Sequence, residues 1–71
     1  MMGVADTLER AAKLIEDGVF RSLYNAISFA TGTDHKLYLD CLDAVSTRRG
    51  AYDSAAVTAL RAGAAKARGE T

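Results

Sequence analysis

Apolar residues recur at helical spacing along most of this chain, and glycines divide the pattern into helix-length pieces. Leu8, Ala11, Ala12 and Ile15 make the first stripe, with Arg10, Lys13, Glu16 and Asp17 on the other side of the same helix. Asp6 followed by Glu9 fits a capping box, in which the two side chains satisfy orphan amides of the first turn. The Asp17-Gly18 pair signals a stop or a turn. Beyond it Val19, Phe20, Leu23, Tyr24, Ala26, Ile27 and Ala30 keep helical spacing as far as Gly32. The apolar face widens and swings after Gly18, which fits either one helix kinked there and running to about Thr31 or two separate helices.

Thr33 or Asp34 is placed to cap the next helix, and Leu37, Tyr38, Cys41, Leu42, Ala44 and Val45 form its broad apolar face. Arg48 and Arg49 suit the negative end of its dipole, and Gly50 closes it. Asp53 or Ser54 then caps a last, alanine-rich helix through Ala55, Ala56, Val57, Ala59, Leu60, Ala64 and Ala67. Gly63 is expected to weaken that helix by roughly 1 kcal/mol relative to alanine. The chain has no proline to interrupt these pieces. The expected fold is all-α, a bundle of three or four short helices in one domain over residues 1–71, with flexible ends at about 1–5 and 68–71. The alternative is α+β, with residues 27–31 and 36–40 paired as a hairpin around Gly32.

Length changes the energetics of this picture. A core built from 71 residues rarely supplies more than ~3–5 kcal/mol without a disulfide, a metal or association. Cys41 is the sole cysteine, so no disulfide closes within the chain. The formal net charge is zero, yet it is unevenly spread. Residues 1–46 hold Arg10, Lys13, Arg21 and Lys36 against Asp6, Glu9, Glu16, Asp17, Asp34, Asp40 and Asp43. Residues 47–71 hold Arg48, Arg49, Arg61, Lys66 and Arg68 against Asp53 and Glu70. An acidic body and a basic tail predict that the last helix lies against the acidic ones, or that it carries an interaction face. No apolar run is long enough to span a membrane, and no export signal precedes Arg10, so the expected compartment is cytoplasmic.

Candidate chemistry is sparse. His35 and Cys41 are six residues apart and point to opposed faces of a helix, so they form neither a metal pair nor a nucleophile–base pair. Cys41 falls beside Leu37 and Val45 and reads as a small core residue, and His35 as an exposed first-turn residue. Asp40 and Asp43 share a polar face and read as a solvated pair. The glycines match no phosphate-loop spacing. No cofactor, metal, catalytic set or small-molecule substrate is expected.

Interface-type residues are better represented. Phe20 and Tyr24, four apart, read as one helical face, and Tyr38, Leu39 and Tyr52 add bulk near exposed stretches. Leu14 and Leu39 interrupt otherwise polar faces. The interface set is therefore Phe20, Tyr24, Tyr38, Leu39, Arg48, Arg49 and Tyr52. The expected function is non-enzymatic: stoichiometric binding to a protein partner as an inhibitor, adaptor or antitoxin, of the kind by which small phage or mobile-element proteins block a host complex. A homodimer burying the surplus apolar surface is a further reading. The alternative is a helix-turn-helix-like DNA-binding regulator using Arg48, Arg49 and the last helix, against which stand the neutral total charge and the acidic body.

Overall fold

The structure, a computed structural model, describes residues 3–45 and 50–69. These residues form four helices, α1 (Val4–Glu16), α2 (Leu23–Thr31), α3 (His35–Ala44) and α4 (Asp53–Ala67), with no strand among them. Helix α4 lies chiefly along α1, α2 packs across α1, and α3 closes the bundle against the other three. The hairpin alternative is overturned, because residues 27–31 belong to α2 and residues 36–40 to α3.

Helix α1 buries Leu8, Ala11, Ala12 and Ile15, the stripe that its spacing predicts. Its start differs from expectation. Gly3 is the N-cap, and the Gly3 carbonyl accepts from both the Thr7 amide at 3.0 Å and the Thr7 hydroxyl at 2.8 Å. Asp6 therefore sits inside the first turn instead of capping it, where its charge still suits the helix dipole. Val4 and Ala5, expected in a loose end, are helical and pack against the core.

Gly18 separates two helices; the kinked-helix arrangement is not adopted. Its φ of +81° lies in the left-handed region, which an L side chain enters only at a cost. The chain turns back there, with the Leu14 carbonyl accepting from Val19 at 2.9 Å and from Phe20 at 3.4 Å. Helix α2 starts only at Leu23, capped by Ser22, whose hydroxyl accepts from the Asn25 amide. Asp34 caps α3 as expected, accepting from the Leu37 amide at 3.0 Å. Helix α3 is shorter than its pattern suggests. It ends at Ala44, and Val45 is already extended, so Arg48 and Arg49 do not close it and lie outside the described residues.

Neither Asp53 nor Ser54 caps α4. The N-cap is Tyr52, without a side-chain cap, and Asp53 is the first helical residue. Gly63 is buried where α4 faces Leu8 of α1 and the end of α3. A β-carbon added there would lie 2.9 Å from Val45 Cγ1, 3.1 Å from the Ala44 carbonyl oxygen and 3.3 Å from Leu8 Cδ1. Gly63 is thus a packing requirement and not simply a weak point in a helix.

Leu8, Leu23, Ile27, Leu60, Thr7 and Cys41 are the largest fully buried side chains. Burial, and then the charge of Asp40, push the Cys41 thiol up to about 11 from an ordinary value of 9.0. Its folded value is the higher one, so the stability it contributes is complete below pH 9 and is lost as pH rises toward 11. Urea midpoints are therefore expected to fall across that window, and a Cys41→Ala variant to show a flatter alkaline limb. At neutral pH a thiol reagent is expected to label Cys41 only as fast as the bundle opens.

Candidate functional site

The turn at Gly18 decides where the first aromatic of the predicted interface sits. Phe20 lies in the non-helical stretch before Leu23, so Phe20 and Tyr24 do not share a helical face. Phe20 instead meets Phe29 of α2, with ring centroids 5.2 Å apart and planes tilted by 49°. Phe29 is 56% exposed and the neighbouring Val19 57% exposed, while Phe20 is half-buried. Phe20 and Phe29 thereby form an apolar pair, and exposed Val19 precedes Phe20 in the α1–α2 connection. Phe29 is absent from the predicted set, although a signal existed. It lies two residues from the buried Ile27, about 200° around a helix, and so must face outward if Ile27 faces in.

Tyr24 and Tyr52 come together on another side of α2, since Tyr24 and Phe29 are about 140° apart around the helix. A side-chain carbon added to Gly50 would lie 3.8 Å from Tyr24 Cε2 and 3.9 Å from Tyr52 Cε2, so both rings border Gly50. Tyr52 is 60% exposed and Tyr24 half-buried. Two backbone bonds hold this arrangement, from the Leu23 amide to the Ala51 carbonyl and from the Asp53 amide to the Arg21 carbonyl, each 2.9 Å. They flank an isolated antiparallel bridge between Ser22 and Tyr52.

Tyr38 borders a shallow depression of about 220 Å³ with Ser28, Thr31, Gly32, Thr33 and His35. Its ring stacks loosely on exposed His35, with centroids 6.4 Å apart. Leu39 is 47% exposed, as its place among polar residues predicts, whereas Leu14 is half-buried. The predicted residues thus fall into separate groups: Phe20 with Phe29, Tyr24 with Tyr52, and Tyr38 and Leu39 on α3. Arg48 and Arg49 lie outside the described residues.

An open cleft of about 500 Å³ lies where the end of α1 meets the start of α4, lined by Ile15, Glu16, Asp53, Ser54, Val57 and Thr58. Both of its carboxylates are held by arginines. Arg61 donates to Glu16 at 2.9 and 2.6 Å, and Arg21 to Asp53 at 3.2 and 3.0 Å. Hydrogen bonding by the guanidinium holds each carboxyl below the ordinary carboxylate value. The Glu16–Arg61 pair fits the expectation that the basic last helix lies against the acidic first one. The Arg21–Asp53 pair reverses the assignment, with the acid on α4.

These depressed carboxyls fix the sign of an acid effect. Their contribution is present above the ordinary carboxylate range and is lost as pH falls through the lowered folded values. Glu16→Gln and Asp53→Asn are expected to flatten the acid limb of stability against pH, measured by urea midpoints. Both pairs are exposed, so the effect is small at neutral pH.

Among the described residues, no group of three His, Cys, Asp or Glu side chains is placed to hold a metal, and no helix is long and apolar enough to cross a membrane. Comparison of the chain with protein-family models, with curated proteins and with solved structures finds no match.

Proposed function

We propose that this protein is a small non-enzymatic binding module of the cytoplasm that acts stoichiometrically on a protein partner, as an inhibitor, adaptor or antitoxin. The observation that carries this reading is that several large apolar side chains stay at the surface although many core positions are filled by alanine. Ala11, Ala12, Ala26, Ala56 and Ala64 are fully buried, while Val19, Phe29 and Tyr52 are more than half exposed and Leu39 nearly so. Burying a large apolar side chain is worth ~1.5–3 kcal/mol. The protein forgoes that gain at Phe29 and Tyr52, which stay at the surface. Aromatic side chains are the type that anchors protein interfaces. Phe29 with Phe20 and Val19 is the natural anchor, and binding would work by covering a working surface of the partner.

The DNA-binding alternative has less support from the described basic residues, because Arg61 is engaged with Glu16 and Arg21 with Asp53. The test is affinity capture from the organism of origin with the wild-type chain beside Val19→Asp and Phe29→Asp variants. Val19 is exposed, where stability changes within about 0.5 kcal/mol are usual. Phe29→Asp also loses the ring pair with Phe20, worth about 0.5–1.5 kcal/mol, so folding of both variants is checked by circular dichroism. One protein captured at fixed stoichiometry by the wild type and lost by both folded variants is the expected result. Equal capture by all three chains would sink the anchor assignment. Duplex DNA binding that weakens steeply with salt would favour the regulator instead, and a dimer mass in sedimentation would identify a second copy as the partner.

A further inference from the structure

We infer that the Arg21–Asp53 pair is a salt-sensitive clasp that holds the connection into α4 docked on α2 and releases it when the pair is broken. Four observations converge on it. Asp53 carries a φ of +51°, the one non-glycine residue in the left-handed region among those described. Aspartate enters this region more readily than most L residues but still at a cost from its β-carbon, which its hydrogen bonds here offset. Its carboxylate takes both Nε and Nη2 of Arg21. Its amide donates to the Arg21 carbonyl, and two residues earlier the Ala51 carbonyl accepts from Leu23. Asp53 and Leu23 are the first residues of α4 and α2, so one small unit fixes where both helices begin.

Residue 53 is also the joint. Relaxing its φ to the right-handed region, as the remainder of α4 adopts, rotates the chain before it by about 110°. That motion carries residues 50–52 away from Arg21–Leu23, breaks both backbone bonds and takes Gly50 and Tyr52 away from Tyr24. The ion pair opposes it. Arg21 and Asp53 are exposed, so dissolved ions compete directly with the clasp. The other charged pair at this cleft is Glu16 with Arg61, with Lys13 and Glu9 nearby, and Asp53 pairs with Arg21.

The test is amide hydrogen exchange by NMR on the full chain at low salt and at about 1 M salt, where the screening length falls to ~3 Å. In the wild type, salt is expected to lower protection of the Leu23 and Asp53 amides together by about two- to fivefold, the range of an exposed ion pair, and to leave Leu60 unchanged. Arg21→Gln is expected to show the lowered protection already at low salt and no further response. Asp53→Gly and Asp53→Ala both lack the carboxylate but differ in strain, and the alanine variant is expected to be the less protected. Salt-independent protection in the wild type, or loss at Leu23 and Asp53 matched by an equal loss at Leu60, would overturn the clasp. Equal protection in the glycine and alanine variants would overturn the role of strain.

Discussion

Gly63→Ala is expected to destabilise the protein by about 1–2 kcal/mol, although alanine is the better helix former by ~1 kcal/mol. The added carbon meets Val45 Cγ1 at 2.9 Å and the Ala44 carbonyl oxygen at 3.1 Å. The valine methyl has some room to move, but the carbonyl belongs to the last turn of α3 and moves only with the backbone. Overpacking of this kind costs ~1–3 kcal/mol, which outweighs the gain in propensity. In a domain of this size, each kcal/mol shifts Tm by roughly 4–8 °C, so thermal unfolding followed by circular dichroism resolves the effect. A neighbouring substitution supplies the contrast. Ala62 is exposed on the same helix, and Ala62→Gly is expected to cost about 1 kcal/mol from propensity alone. Loss of stability in both variants means that packing governs residue 63 and propensity governs residue 62. A rise in Tm for Gly63→Ala would show that α4 does not approach α3 as closely as described. In a Val45→Ala background the cost of Gly63→Ala should fall, because the nearest contact is gone, so the two changes should not add.

Leu8→Ala is expected to have the larger effect, about 2–5 kcal/mol, from lost burial and the cavity left behind. Leu8 is fully buried in α1 and reaches across to α4, with Cδ1 3.3 Å from the carbon that Gly63 lacks. A core of this size rarely supplies more than ~3–5 kcal/mol. The substitution therefore removes a large fraction of the total, and the variant should be partly unfolded at 37 °C. Its neighbours among the buried residues include several alanines, which cannot swing into the space. Urea unfolding of Leu8→Ala with an unchanged midpoint would contradict the placement of Leu8 at the centre of the core. In a Gly63→Ala background the cost of Leu8→Ala should fall, since the new methyl occupies part of the vacated volume.

These two positions mark the boundary of what the chain reveals on its face. The Leu8–Ile15 stripe was legible because a helix brings residues three and four apart onto one side whatever surrounds it. Asp34 and Gly32 were legible for a related reason: caps and stops act within one turn. The beginnings of α2 and α4 were not legible. They depend on hydrogen bonds between residues 21–23 and 51–53, about thirty positions apart, and no local pattern encodes that pairing. The early end of α3 also departs from its apolar pattern, with Val45 buried but extended against Gly63.

The candidate site divides in the same way. Leu39 was identifiable as exposed because its helix is regular through it. Phe20 was placed on the wrong element, because a helix assumed to start just after Gly18 gave it a spurious partner in Tyr24. The pairing of Phe20 with Phe29 and of Tyr24 with Tyr52 required the turn and the cross-connection bonds to be in place.

Periodicity and punctuation by themselves favoured a bundle of short helices and indicated which faces of α1 and α3 turn inward. Tertiary packing decided where α2 and α4 begin, why residue 63 has no side chain, which aromatics remain outside, and which carboxylate each arginine holds. The physical reason is range: helical order follows from neighbours within one turn, whereas close approach, cross-chain hydrogen bonds and ion pairs exist only once distant segments have met.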